Sequence, residues 1–108
     1  MAIDWSTVGS QMGTSVEGVV GPAWQNASKG ASVQFAALVA AGQQIEIDKD
    51  TLQPAEYDSL KLMQQRALEG VLQAYEGISL DVAEEAASAA WGVLVTVLKA
   101  AYPALAFL

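Results

Sequence analysis

Charged residues are distributed very unevenly along this chain of 108 residues. Residues 1–45 contain only three of them, residues 86–108 contain only Lys99, and all the others lie within residues 46–85. The two weakly charged ends consist mainly of Gly, Ala, Ser, Thr, Val, Leu and Trp, a composition that favours close contact with other helices or with lipid. The distribution therefore indicates a helical packing or assembly element, and we expect the chain not to be an enzyme.

The proportion of apolar residues is high for so short a chain. They make up 53% of the sequence, above the usual value of about 45–50% for soluble domains. A chain of this length has room for one domain with a core of moderate size. We therefore predict a single all-α domain over residues 1–108 that covers part of its apolar surface with other subunits or with a membrane.

Charge and residue usage disfavour several functional classes. The net charge of −7 and the pI near 4.2 argue against nucleic-acid binding, which requires clustered Lys and Arg. The chain has no Cys and no His, which excludes disulfides, thiolate metal sites, Ser-His-Asp triads and imidazole acid–base chemistry. No Gly-rich phosphate loop or nucleophile elbow occurs. We expect no catalytic residues, no cofactor, no metal site and, because the N-terminus lacks a basic region and an apolar run, no signal peptide.

Apolar residues repeat every three or four positions in four segments, a spacing typical of amphipathic helices. Asp4 or Ser6 is expected to cap the first helix, Gly21 to end it, Gly42 to end the second, and Ser79 to cap the fourth. The predicted helices span residues 5–20, 22–41, 54–76 and 80–102.

An acidic connector is predicted over residues 43–53, between helical hairpins formed by residues 1–42 and 54–108. Residues 45–48 alternate between apolar and charged like a strand. An isolated strand of four residues has nothing to pair with here, so we expect an extended loop. The predicted architecture is all-α, with four helices in two hairpins that belong to a larger helical assembly.

Small residues recur at a spacing of four, which places them on one helix face and lets helices approach closely. The functional interpretation is a multi-helix assembly interface, and the alternative is an alanine-rich chain in which such pairs arise by chance. The pairs are Gly9 and Gly13, Ala27 and Ala31, Ala36 and Ala40, Ala83 and Ala87, and Ala86 and Ala90.

The stretch Ala89–Leu108 carries a single charge, Lys99, and as a helix it would be about 30 Å long, enough to cross a bilayer. Lys99 near its middle and Pro103 beyond it argue against an ordinary span. We expect a buried or oligomer-interface helix, with conditional insertion and a constitutive span as alternatives.

Two sets of residues are candidate contact sites. The first combines the three Trp residues, which could also be core residues, with residues of the weakly charged ends as an oligomer or lipid interface. It consists of Trp5, Gly9, Met12, Gly13, Trp24, Trp91, Val93, Val97, Leu98, Leu105 and Phe107. The second is an acidic, partner-facing patch, which lacks the Gly and the final Glu of a calcium loop. It consists of Glu46, Asp48, Asp50, Glu56 and Asp58.

The leading functional hypothesis is a non-enzymatic structural subunit of a homo-oligomeric helical assembly, virion-like or membrane-associated. In it the weakly charged terminal helices contact other subunits or lipid. One alternative is a small pore-forming or membrane-penetrating protein. Another is an acidic binding module that inhibits or adapts a basic partner. No nucleic-acid partner is expected.

Overall fold

The described part of the chain, residues 3–108 of a computed structural model, is 83% helical and contains no strand. The predicted all-α class is confirmed. The α-helices are α1 (Trp5–Val20), α2 (Trp24–Ile47), α3 (Pro54–Gln73) and α4 (Leu80–Ala101), with 3₁₀ turns at Gly21–Ala23 and Pro103–Leu105. The first 3₁₀ turn joins α1 directly to α2, with no loop between them. These two helices therefore form one helical stretch of the chain, and α3 and α4 form two more. The sequence had predicted four separate helices.

Local capping explains where α1 and α4 begin. The Asp4 carboxylate accepts a hydrogen bond from the Thr7 backbone N–H at 3.3 Å, and Asp4 is therefore the N-cap of α1. The Ser79 hydroxyl accepts one from a backbone N–H in the first turn of α4, also at 3.3 Å. Gly21 ends α1 with a φ of 73°, in the left-handed region that glycine adopts readily. These predicted caps are confirmed.

The end of α2 differs from the prediction. Residues 43–47 are helical, so the connector is shortened to residues 48–53. Ile45 continues the apolar face of the helix and is only 1% exposed, and this burial outweighs the strand-like alternation. Gly42 was predicted to be the C-cap of the second helix, but it lies inside α2. The third helix ends at Gln73, three residues earlier than predicted.

Helices that are consecutive in the chain run antiparallel. Gly9 faces Val39 and Gly13 faces Phe35 across α1 and α2. Gln34 of α2 donates a hydrogen bond to Gln64 of α3 at 3.2 Å. α1 also packs along α4, whereas α1 and α3 do not contact each other. Since α2 and α4 do touch, α1 and α3 lie on opposite sides of the α2–α4 pair.

The core runs between these helices and contains no buried polar or charged residue within the described part of the chain. α1 contributes one buried apolar residue per turn, namely Val8, Met12, Val16 and Val20. The Trp91 indole, 2% exposed, donates a hydrogen bond to the Tyr57 hydroxyl at 2.8 Å. Burial raises the pKa of that Tyr57 hydroxyl. The two weakly charged ends of the sequence thus pack on each other within one molecule.

Candidate functional site

The outward surfaces of α1, α2 and α4 carry small, uncharged residues every four positions, and we call these three stripes together the small-residue face. α1 lies in the middle, with α2 and α4 on either side. All members are exposed. They are Ser6, Ser10, Thr14 and Gly18 on α1, Ser32, Ala36 and Ala40 on α2, and Ser88, Gly92, Thr96 and Ala100 on α4.

A groove separates α1 from α2. Its cavity has a volume of about 530 Å³ and is lined by Gly9, Gly13 and Phe35 among others. Trp5 and Trp24, which come from the two ends of the α1–α2 pair, also line it. This groove is therefore a short trough that runs between two indole rings.

A longer groove separates α1 from α4. It consists of two cavities of about 300 and 660 Å³ that share Gln11 and Val97 in their walls. Thr14, Gly92 and Thr96 line the second cavity. The shared residues make the groove continuous along most of α1, and no indole lines it.

The glycines beside these grooves are not required by packing within the molecule. A Cβ atom on Gly9 or Gly13 would meet its nearest neighbour at 3.7 Å, an ordinary contact, and one on Gly18 or Gly92 would meet nothing within 4 Å. Each interior glycine nevertheless costs a helix about 0.8–1 kcal/mol relative to alanine. At Gly18 and Gly92, space is therefore left open on the small-residue face that the folded monomer does not use.

The uneven charge of the sequence becomes a separation in space. α1 carries only Glu17 within its helical residues, whereas α3, on the far side of the molecule, carries five charged residues. Asp4, just before α1, is engaged in capping. Hydrogen bonds from the Ser6 and Thr7 side chains hold the pKa of its carboxyl below the usual value. Along α1 itself the small-residue face is flanked by Glu17 alone, and the ionised Asp4 lies at the N-terminal end of the helix.

Four of the predicted interface residues lie in the protein's own core. Met12, Leu98 and Leu105 are 0% exposed, and Trp91 is 2% exposed. Met12 and Leu98 are buried because α1 and α4 pack on each other, and Leu105 is buried because the last 3₁₀ turn folds against the bundle. The structure corrects their assignment, since none of the four reaches the outer surface.

The other predicted interface residues remain at least partly accessible. Six are half-buried, and all six line the grooves beside α1: Trp5, Gly9, Gly13, Trp24, Val93 and Val97. Phe107 is 50% exposed and meets the Tyr57 ring edge-on at 6.4 Å between centroids. Their contact with another subunit stays a prediction.

The apolar stretch 89–108 is not one continuous helix. α4 ends at Ala101, and the chain turns at Pro103. The Lys99 ammonium then donates a hydrogen bond to the Leu108 backbone oxygen at 3.1 Å. Within residues 3–108, no helix combines the length and the hydropathy that a membrane crossing requires.

The predicted acidic patch is divided. Glu46 is half-buried in α2, and its carboxylate accepts hydrogen bonds from the Trp5 indole at 3.2 Å and from the Tyr102 hydroxyl. The Lys49 ammonium lies 5.1 Å from the centre of the Tyr102 ring. The bond to the Glu46 carboxylate raises the pKa of Tyr102. Glu46 therefore joins the ends of three helices, and its contact with a partner stays a prediction.

The rest of that patch lies in the short connector and at the start of α3. The Asp48 carboxylate is half-buried and accepts a hydrogen bond from the Gln44 amide at 2.8 Å. Asp50, Glu56 and Asp58 are exposed. In the described range, no three side chains of the His, Cys, Asp and Glu types are grouped so as to hold a metal ion.

Apart from the pair Ala36 and Ala40, the residues of the outward stripes were not among the predicted interface residues. The prediction counted only Gly and Ala as small, whereas the stripes also contain Ser and Thr. Most of the predicted Ala pairs are in fact buried between helices of the same molecule: Ala27, Ala31, Ala83, Ala86, Ala87 and Ala90.

Comparison of the chain with protein-family models, curated proteins and solved structures found no match.

Proposed function

We propose that this protein is a non-enzymatic structural subunit that assembles with copies of itself through the small-residue face. The single observation that carries the proposal is the separation of a nearly uncharged α1 side from a charged α3 side. It accounts for the sequence feature that is hardest to explain in an isolated monomer, namely an exposed helix with almost no charge.

The electrostatics favour this side of the molecule for self-association. Two copies with a net charge of −7 repel each other, and burying carboxylates at a contact adds a desolvation cost. A contact through α3 would bring charged side chains together. A contact through the small-residue face would bury mainly hydroxyl, methyl and backbone groups, and most of the carboxylates would stay in water.

Four hydroxyl groups of the small-residue face are also suited to burial. Ser10 and Thr14 donate to backbone carbonyls four residues earlier, at 3.4 and 3.2 Å. Ser32 and Thr96 do the same at 2.7 and 2.8 Å. A hydroxyl that is already bonded within its own helix does not need a partner when water is removed. Another helix can therefore pack against these stripes at low polar cost.

The proposal is narrower than the sequence-based hypothesis. The buried face of α1 is already covered by the bundle, and only the outward stripes and grooves remain available. Small residues at a spacing of four let two helices approach closely. The partner that we propose for this surface is a helix with a similar stripe.

Native mass spectrometry and light scattering at micromolar concentration test the proposal. The wild-type chain is expected to form a defined oligomer. Ser10→Lys places a cation in the middle of the α1 stripe and should weaken assembly by about 100-fold or more, since an unpaired buried charge costs several kcal/mol.

Ser59→Lys is the matched control, because Ser59 is exposed on α3. It should leave the oligomer unchanged. A wild-type chain that stays monomeric, or an equal effect of both substitutions, contradicts the proposal.

A further inference from the structure

Two opposite charges stand symmetrically about Gly92 on the outward stripe of α4. Glu85 precedes Gly92 by seven residues and Lys99 follows it by seven, and all three residues are exposed. Seven residues are close to two helical turns, so the three lie almost in line along the helix. Each charge is about 10.5 Å from Gly92 along the axis, at 1.5 Å per residue.

We infer that two copies pair through antiparallel α4 helices about a two-fold axis beside Gly92. The inference rests on the self-association proposed above and names its geometry. A two-fold axis exchanges residues at equal distances on either side of it. Glu85 of each copy then faces Lys99 of the other, which gives two opposite-charge contacts.

The residues between the two charges allow the helices to approach. In this register Ser88 lies opposite Thr96, and both side chains are small. Gly92 meets itself at the axis, where a Cβ atom would contact nothing within the monomer. The absence of a side chain there leaves room for the backbone of the second helix.

Charge complementarity selects both the partner and the register. A shift of the axis by one turn, to residue 88 or 96, would leave Lys99 opposite Gly77 or Val93, neither of which is charged. The present bond of Lys99 to the Leu108 backbone oxygen occupies one of its three N–H donors. The other two are available to a carboxylate of the second copy.

The contact would lie beside the continuous α1/α4 groove. Val93 and Val97, which are half-buried, line that groove together with Gly92 and Thr96. The trough between α1 and α2 is less suited to a long helix, because Trp5 and Trp24 line it. Trp5 is held in place by its bond to Glu46.

Charge reversal tests the register in solution. Glu85→Lys sets Lys against Lys in the dimer, and Lys99→Glu sets Glu against Glu, so each variant alone should dimerise about tenfold more weakly. The Glu85→Lys, Lys99→Glu double variant exchanges the signs, keeps the net charge, and should recover wild-type affinity. Both positions are exposed, and far-UV circular dichroism checks that every variant folds.

A mixture of the two single variants is the sharper experiment. One copy then carries Lys at both positions and the other carries Glu at both, so each contact in the heterodimer is attractive. Native mass spectrometry should show the heterodimer at about the wild-type affinity, with both homodimers depleted. Failure of the mixture to recover dimers overturns the proposed register.

Cross-linking gives an independent readout, since the chain has no native cysteine. Gly92→Cys places two thiols at the axis and should form an intermolecular disulfide under mild oxidation. Gly70→Cys, at an equally open glycine of α3, should not. If the wild type oligomerises but Gly92→Cys does not cross-link, the α4 pairing is wrong and the proposed function stands. If the wild type is a monomer, the α4 pairing and the proposed function are both wrong.

Discussion

At the scale of single residues, Gly42 has the most demanding position in the molecule. A Cβ atom on Gly42 would lie 2.7 Å from Cζ3 of the Trp5 ring and closer still to the Leu94 side chain. The missing side chain is therefore what allows α4 and the Trp5 indole to pack on α2. This differs from Gly18 and Gly92 on the small-residue face, where a Cβ atom would meet nothing within 4 Å.

We expect Gly42→Ala to lower the free energy of unfolding by about 1–2 kcal/mol. Overpacking typically costs about 1–3 kcal/mol, and the better helix propensity of alanine offsets up to about 1 kcal/mol of it. Urea denaturation followed by circular dichroism measures the change. Gly70→Ala, where a Cβ atom meets nothing within 4 Å, should instead stabilise the protein. A stabilising effect at both positions would contradict the role of Gly42.

At the scale of helices and their ends, one carboxylate joins three elements. Glu46 near the end of α2 binds Trp5 at the start of α1 and Tyr102 just after α4. The Lys49 ammonium adds a contact with the Tyr102 ring. These bonds hold the first and last helices at the same end of the bundle, where unrestrained termini would fray.

This arrangement predicts a loss of stability at alkaline pH. The raised pKa of Tyr102 means that the fold favours its protonated form. The stability that the Tyr102 hydroxyl contributes is fully present below the pKa of tyrosine in the unfolded chain, which is about 10. That stability is lost as the pH rises through the higher pKa of Tyr102 in the folded protein. The urea midpoint should therefore fall above about pH 10.

Tyr102→Phe removes this titration and should make the alkaline fall smaller. Urea midpoints measured from pH 8 to 11 for the wild type and the variant give the comparison. An alkaline fall of the same size in both proteins would show that the Tyr102 hydroxyl does not contribute to it.

At the scale of the whole molecule, α1 is an integral part of the bundle. Its buried residues enter the same core as those of α4, although the two helices lie at opposite ends of the chain. Gly9, Gly13 and Gly18 within this helix make it weak by itself, since each interior glycine costs about 0.8–1 kcal/mol relative to alanine. In the structure, contact with α4 and α2 already provides its neighbours.

We expect Met12→Ala to destabilise the whole fold by about 2–5 kcal/mol, the usual cost of emptying a fully buried site. Met12 is 0% exposed. Circular dichroism and Trp fluorescence should give the same lowered midpoint, because α1 unfolds with the rest. Met63→Ala is the control, since Met63 is 60% exposed on α3, and it should change stability by no more than about 0.5 kcal/mol. A separate early transition for α1 would contradict this view.

Local signals determined much of the fold. The capping side chains of Asp4 and Ser79 and the glycine at Gly21 act within one turn of the backbone, so their effect can be predicted from neighbouring residues. The end of α2 could not be predicted in this way. Ile45 is helical because a buried site receives its side chain, and that site is formed by other helices.

The sequence by itself determined that the chain is helical, where α1 and α4 begin, and that charge is confined to its middle. Only the tertiary structure decided which apolar residues face inward. Periodicity shows which residues share a helix face, but the direction of that face depends on how distant helices pack. The packing of the helices buries Met12 and Trp91 and leaves the stripes through Ser10 and Gly92 on the surface.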